Sequence, residues 1–199
     1  ADEDVDLIIN EISIEDVDSE NNNLEFQISI EKGSISLSAG TGSINFPIDG
    51  SGGDGTEDTF MSFTASVSNF NNAISGAIFH PEPNYYGDEG RIILTVNDLG
   101  NSGIQNGDDP EQLIDTKTIN IEINNINDPP IIISSDNYAL DEDEDEFYLS
   151  DIILSDEDVA DGQMILELTV LNGSLELSST DDITCLEGGN CFSTASNMQ

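Results

Sequence analysis

An internal repeat constrains this chain more than any other feature, because a segment that recurs in register is built to fold the same way twice. An offset of 140 residues lays Ile12–Leu37 on Ile152–Leu177 without a gap: Asp16 meets Asp156, Asp18 meets Asp158, Gly33-Ser34 meets Gly173-Ser174, and Leu37 meets Leu177. Upstream, Asp2-Glu3-Asp4 falls on Glu142-Asp143-Glu144 and Leu7 on Phe147. One copy therefore spans residues 1–128, and a second, residues 129–199, extends only to the equivalent of residue 59. The expectation is that the chain is an excerpt of a longer protein. The closing strands of the second copy then lie beyond it or come from elsewhere, and the partial copy does not fold alone.

Within the first copy, short apolar alternations are separated by turn residues. Leu24–Ile30, Ile35–Leu37, Phe60–Val67, Ala73–Phe79, Arg91–Val96 and Thr118–Ile126 carry β-branched or aromatic residues at strand spacing. Residues 40–58 are rich in Gly, Ser, Thr and Asp and read as loop. Only Val67–Ala77, with Phe70 and Ile74, has the spacing of a short helical turn. Strands without alternating helices predict an all-β chain of tandem antiparallel, Ig-like β-sandwich repeats. The copies meet at Asn124-Asn125-Ile126-Asn127-Asp128-Pro129-Pro130. Two prolines remove two backbone donors, so no central strand runs through them. The oxygen-bearing side chains just before them suit a hard cation, or else a plain polar turn.

Charge narrows the partners. The chain has 42 Asp+Glu against 3 Lys+Arg and a formal net charge of −39. Nucleic acid and anionic membranes require basic surface, so both are excluded as electrostatic partners. A surface this negative repels itself unless counterions bind or salt screens it. The acids cluster in Asp2–Asp6, Glu15–Glu20, Asp141–Glu146 and Asp156–Asp161, which favours specific divalent sites. The last cluster reads either as ligand or as solvated loop, and an EF-hand is ruled out because Gly162 comes one place too late after Asp156. No apolar run is long enough for a membrane span.

Cys185 and Cys191 bracket Leu-Glu-Gly-Gly-Asn, a loop suited to a local disulfide in an oxidising compartment, with two free thiols as the alternative. Asn172-Gly173-Ser174 is an N-glycosylation sequon at Asn172 or, more simply, an Asn-Gly turn. Catalytic signatures are lacking: His80 is the only histidine, and its position before Pro81 reads as structural.

Several motifs occur in order: Gly53-Asp54-Gly55-Thr56-Glu57-Asp58, Met61-Ser62-Phe63-Thr64, Phe70-Asn71-Asn72-Ala73, His80-Pro81-Glu82-Pro83-Asn84-Tyr85-Tyr86-Gly87, Val96-Asn97-Asp98-Leu99-Gly100-Asn101-Ser102-Gly103 and Asn127-Asp128-Pro129-Pro130. Together they resemble the tandem cadherin-like repeats of very large surface and secreted proteins. The resemblance implies sandwiches strung in arrays, stiffened by calcium and used in adhesion or extracellular scaffolding. It further implies a ligand set at the junction: Asn125, Asn127 and Asp128 from the linker, Glu3 and Asp4 from the acidic triplet Asp2-Glu3-Asp4, and Asp156 with Asp158 from the following copy. Asp16 and Asp18 would face a junction before residue 1, and Asp98 is a weaker candidate. Asn125 and Pro129 depart from the family's linker, and its mid-domain acidic motif is missing unless Asp88-Glu89 substitutes.

The function expected is a non-enzymatic, calcium-binding extracellular spacer whose partners are neighbouring repeats of the same or identical chains, with a surface protein or glycan as a further ligand. Two rivals remain. Tyr85, Tyr86 and Phe79 could form the sugar platform of a carbohydrate-binding module, or the acids could be salt adaptation in a filament subunit without calcium sites.

Overall fold

The computed structural model describes residues 1–19, 21–38, 43–101, 111–142, 146–178 and 183–184. Cys185 and Cys191, and with them the disulfide expectation, lie outside the described residues. The chain divides into two compact units, Ala1–Glu157 and Asp158–Gln199.

Among the described residues, the first unit is built from antiparallel sheets and one short helix. Its strands are β1 (Leu7–Ile9), β2 (Asn23–Glu31), β3 (Gly33–Ser36), β4 (Phe60–Ser66), β5 (Ala77–Pro81), β6 (Gly87–Asn97), β7 (Ile114–Ile123), β8 (Ile131–Ile133) and β9 (Ile153–Ser155), with α1 (Val67–Ile74) between β4 and β5. One sheet has the order β1-β5-β3, a second β4-β2-β6-β7, and β8 pairs β9 alone. Strict alternation in β2 sends Leu24, Phe26, Ile28 and Ile30 inward, where the register sets Phe26 opposite Phe63 of β4 and Val96 of β6. Ile35 of β3 and Phe79 of β5 join them, so both larger sheets contribute to one apolar core. Phe26 is stacked on Phe70 at 4.3 Å between ring centroids and lies 5.6 Å from Phe63.

The stretch expected as a strand from Ala73 is helical as far as Ile74. Ser66 caps the helix by accepting the Asn69 N–H, and Phe70, Ala73 and Ile74 form its buried stripe. Gly76, at φ 80°, ends the turn and donates its N–H to Ile9. Asn71 then secures the strandless segment before β2: its side chain accepts the Ile14 N–H at 2.9 Å and donates to the Ile14 carbonyl at 3.0 Å.

The β8–β9 hairpin is held by Asp151, which accepts the Ser135 hydroxyl at 2.6 Å, the Ser135 N–H at 3.1 Å and the Tyr138 hydroxyl. The Ser135 hydroxyl, followed by the Tyr138 hydroxyl, holds this exposed carboxyl below the usual aspartate range. A depressed carboxyl contributes stability that is present above its unfolded value, about 3.9, and lost as pH falls through the folded one. The protection of the amides of residues 131–133, corrected for the intrinsic exchange rate at each pH, is therefore expected to fall on acidification below about pH 4 in the native chain. In Asp151→Asn, exchange there should start faster and show no such step; a step of equal size in the variant would assign it to other acids.

In the second unit the described residues belong to no helix or strand. Asn172 is exposed and precedes Gly173, whose φ of 107° suits a turn. Among the described residues no helix is long and apolar enough to cross a membrane.

Candidate metal centre

The acidic triplet and the linker meet along a short parallel ladder. Asp2 bridges to Asn124, the Ala1 carbonyl accepts the Asn124 N–H at 2.8 Å, and the Glu3 N–H donates to the Asn124 carbonyl at 3.0 Å. The Asn124 side chain donates to Asp2 Oδ1 at 3.0 Å. Glu3 is turned inward and only 3% exposed, with Oε1 accepting the Ile126 N–H at 2.6 Å. A carboxylate so buried persists only when hydrogen-bonded. Glu3→Ala, which orphans the Ile126 amide, is expected to cost about 1–3 kcal/mol in urea denaturation. Glu3→Gln keeps an acceptor oxygen and should cost less; equal losses would mean that charge, not acceptance, is what Glu3 supplies.

Asp4 and Asn84 both adopt left-handed backbone, φ 55° and 56°, and the Asn84 N–H donates to Asp4 Oδ1 at 3.1 Å. Asparagine tolerates that region better than most residues. Asn84 also lines a cleft of about 280 Å³ with Asp128, Pro129, Ile131, Ser155, Asp156 and Glu157. The hairpin register explains this gathering. Ile131 is paired with Ser155 at the open end, so the residues before one and after the other emerge side by side. Asp128 and Asp156 thus share one cleft, and Asn84 connects it to Asp4. Asn127 donates from its side chain to the Asp128 carbonyl at 3.0 Å. Asn125 precedes Ile126 in the segment that Glu3 binds, outside the cleft lining.

The lining of this cleft does not include the other expected ligands. Asp158 belongs to the second unit. Asp16 Oδ1 accepts the N–H groups of Asp18 and Ser19 at 2.9 and 2.8 Å, so Asp16 and Asp18 form a side-chain-closed turn. Asp98 is buried, and its Oδ1 accepts the N–H groups of Gly100 and Leu113 at 2.8 and 2.7 Å, closing the connection between β6 and β7.

Three carboxylates, one amide and one hydroxyl line the cleft without histidine or cysteine, a donor set that fits calcium or magnesium rather than zinc or copper. Among the described residues, no three His, Cys, Asp or Glu side chains converge as a ready-made metal cage. A bound ion would have to add backbone, amide or water oxygens, as calcium commonly does. Asn84, Ser155 and Glu157 escaped the sequence-based ligand set. Asn84 after Pro83 carried a turn signal, but its place beside Asp128 depends on pairing between strands far apart in sequence.

His80 has partners that the sequence did not disclose. Its Nδ1 lies 2.7 Å from Asp6 Oδ1 and its Nε2 3.0 Å from Ser36 Oγ. The order is that of hydrolase triads, but Ser36 Oγ also accepts the Glu57 N–H at 2.9 Å. The network links β3 and β5 with the residue that leads into β1. Phe79, one of the three aromatics considered for a sugar platform, is fully buried, whereas Tyr86 is exposed.

Comparison with protein-family models, curated proteins and solved structures gives no match.

Proposed function

We propose that this chain is a calcium-binding spacer: part of a tandem array of cadherin-like, Ig-like β-sandwich repeats in an extracellular adhesive or fibrous surface protein. The observation that carries the reading is the Asp128–Asp156 cleft, where the end of one copy meets the start of the next among oxygen donors. Two larger antiparallel sheets over one core are compatible with a sandwich, and the 140-residue offset supports an array. Asp128, Asp156 and Glu157 would hold the ion, with Asn84 beside them, and the ion would supply the charge that lets clustered carboxylates approach. Without it, like charges keep the linker loose.

Amide exchange tests this directly at residues 125–128 and 155–157, with calcium compared against sodium chloride of equal ionic strength. Selective slowing at both segments by calcium is expected. Equal slowing by the two salts would leave the acids as a screened surface and favour a salt-adapted structural subunit.

A further inference from the structure

We propose that Ser36 and His80, oriented by Asp6, form a serine acyl-transfer centre that takes its acyl group from small, neutral carboxylic esters and passes it to water. The proposal rests neither on the spacer reading nor on calcium.

Topology brings these three residues together on one sheet face. Ser34 and Ser36 flank the buried Ile35 on β3, and His80 follows the buried Phe79 on β5, so the two hydroxyls and the imidazole share the outward face. In the order β1-β5-β3, Ser36 comes from one side of β5 and Asp6, which leads into β1, from the other.

The hydrogen bonds then fix where the protons sit. A carboxylate only accepts, so His80 Nδ1, at 2.7 Å from Asp6 Oδ1, carries the hydrogen, and Nε2 of the neutral ring keeps a lone pair. Ser36 Oγ lies 3.0 Å from Nε2 and already accepts the Glu57 N–H at 2.9 Å. Its own hydrogen is therefore the one that bridges to the ring. The bond from Glu57 turns the hydroxyl toward its base, and nucleophile, base and orienting carboxylate stand in the relation that acyl transfer needs.

In the reaction, Ser36 Oγ bonds to the ester carbonyl carbon as its proton passes to His80 Nε2, and Asp6 balances the imidazolium through Nδ1–H. The ester C–O bond then breaks, and the leaving alcohol takes the proton from Nε2. Water, giving a proton to the same nitrogen, hydrolyses the acyl-serine to a carboxylic acid and restores Ser36. The Glu57 N–H, freed once Oγ is acylated, is a backbone donor beside the carbon that bears the oxyanion. His80 also lines an open cleft of about 400 Å³ with Ser34, Thr59, Pro81 and Pro83, which gives room for small acyl and alcohol groups. A chain of net charge −39 repels anionic esters, which leaves neutral ones.

The test treats the whole chain with a fluorophosphonate and, separately, with p-nitrophenyl acetate, and maps the modified residue by mass spectrometry. Phosphonylation and transient acetylation of Ser36 are expected, with Ser36→Ala unlabelled there and His80→Gln at least about a hundredfold slower. Asp6 acts through His80, and its part is read from the imidazole proton and nitrogen resonances, free of overlap because the chain has one histidine. The native ring should carry its hydrogen on Nδ1; Asp6→Asn should shift it toward Nε2 and slow labelling, and Asp6→Glu should restore both in part. An unlabelled Ser36 in the native chain, or a native ring protonated on Nε2 alone, would overturn the proposal, whether or not any variant folds. Labelling that His80→Gln leaves unchanged would also overturn it, as would ester hydrolysis that Ser36→Ala leaves unchanged, which would mark the imidazole as acting alone.

Discussion

Phe26→Ala is expected to destabilise the first unit by about 3–5 kcal/mol, which is much of a typical domain's total stability. Phe26 is fully buried, stacked on Phe70 at 4.3 Å and on Phe63 at 5.6 Å, and its strand is bonded on both sides. Truncation would remove contacts from two rings at once and leave a cavity between a sheet and a helix that cannot both close in. Leu166→Ala, at the corresponding repeat position, should cost well under 1 kcal/mol, because that side chain is 45% exposed. Denaturant midpoints of the two variants check the contrast. Equal losses would contradict the difference in burial between the copies.

Calcium is expected to produce the second large effect. An ion that binds only the folded chain stabilises it by about 2.7 kcal/mol at a hundredfold excess over its dissociation constant. For a unit of this size that corresponds to a rise in melting temperature of about 5–10 °C. The effect belongs to the cleft if Asp128→Ala with Asp156→Ala removes most of the rise at constant high sodium chloride, where general screening is already saturated. A rise that the double variant retains would place the ion elsewhere among the 42 acidic residues.

Much of the core was legible because strand period is a local property. The alternations around Leu24–Ile30, Phe60–Val67 and Arg91–Val96 became β2, β4 and β6, and the helical spacing of Phe70 and Ile74 marked α1. The boundary at Ala73 was misjudged because β-branched and aromatic residues suit a short buried helix as well as a strand, and the Ser66 cap decided between them. The junction was half legible. Proline and clustered oxygen side chains announced a break in the strand and a polar cleft, whereas the place of Asn84 in that cleft depended on long-range pairing. Asp98 and Asp16 each accept two backbone amides, contacts set by local turns that composition alone does not disclose.

The most direct measurement is isothermal calorimetry of calcium into the whole chain and into the Asp128→Ala, Asp156→Ala variant, both in constant high sodium chloride. The account predicts a saturable calcium-specific transition in the native chain that is weakened or lost in the variant. Identical isotherms for the two proteins, or no heat beyond that of matched sodium chloride, would contradict a calcium clamp at this junction.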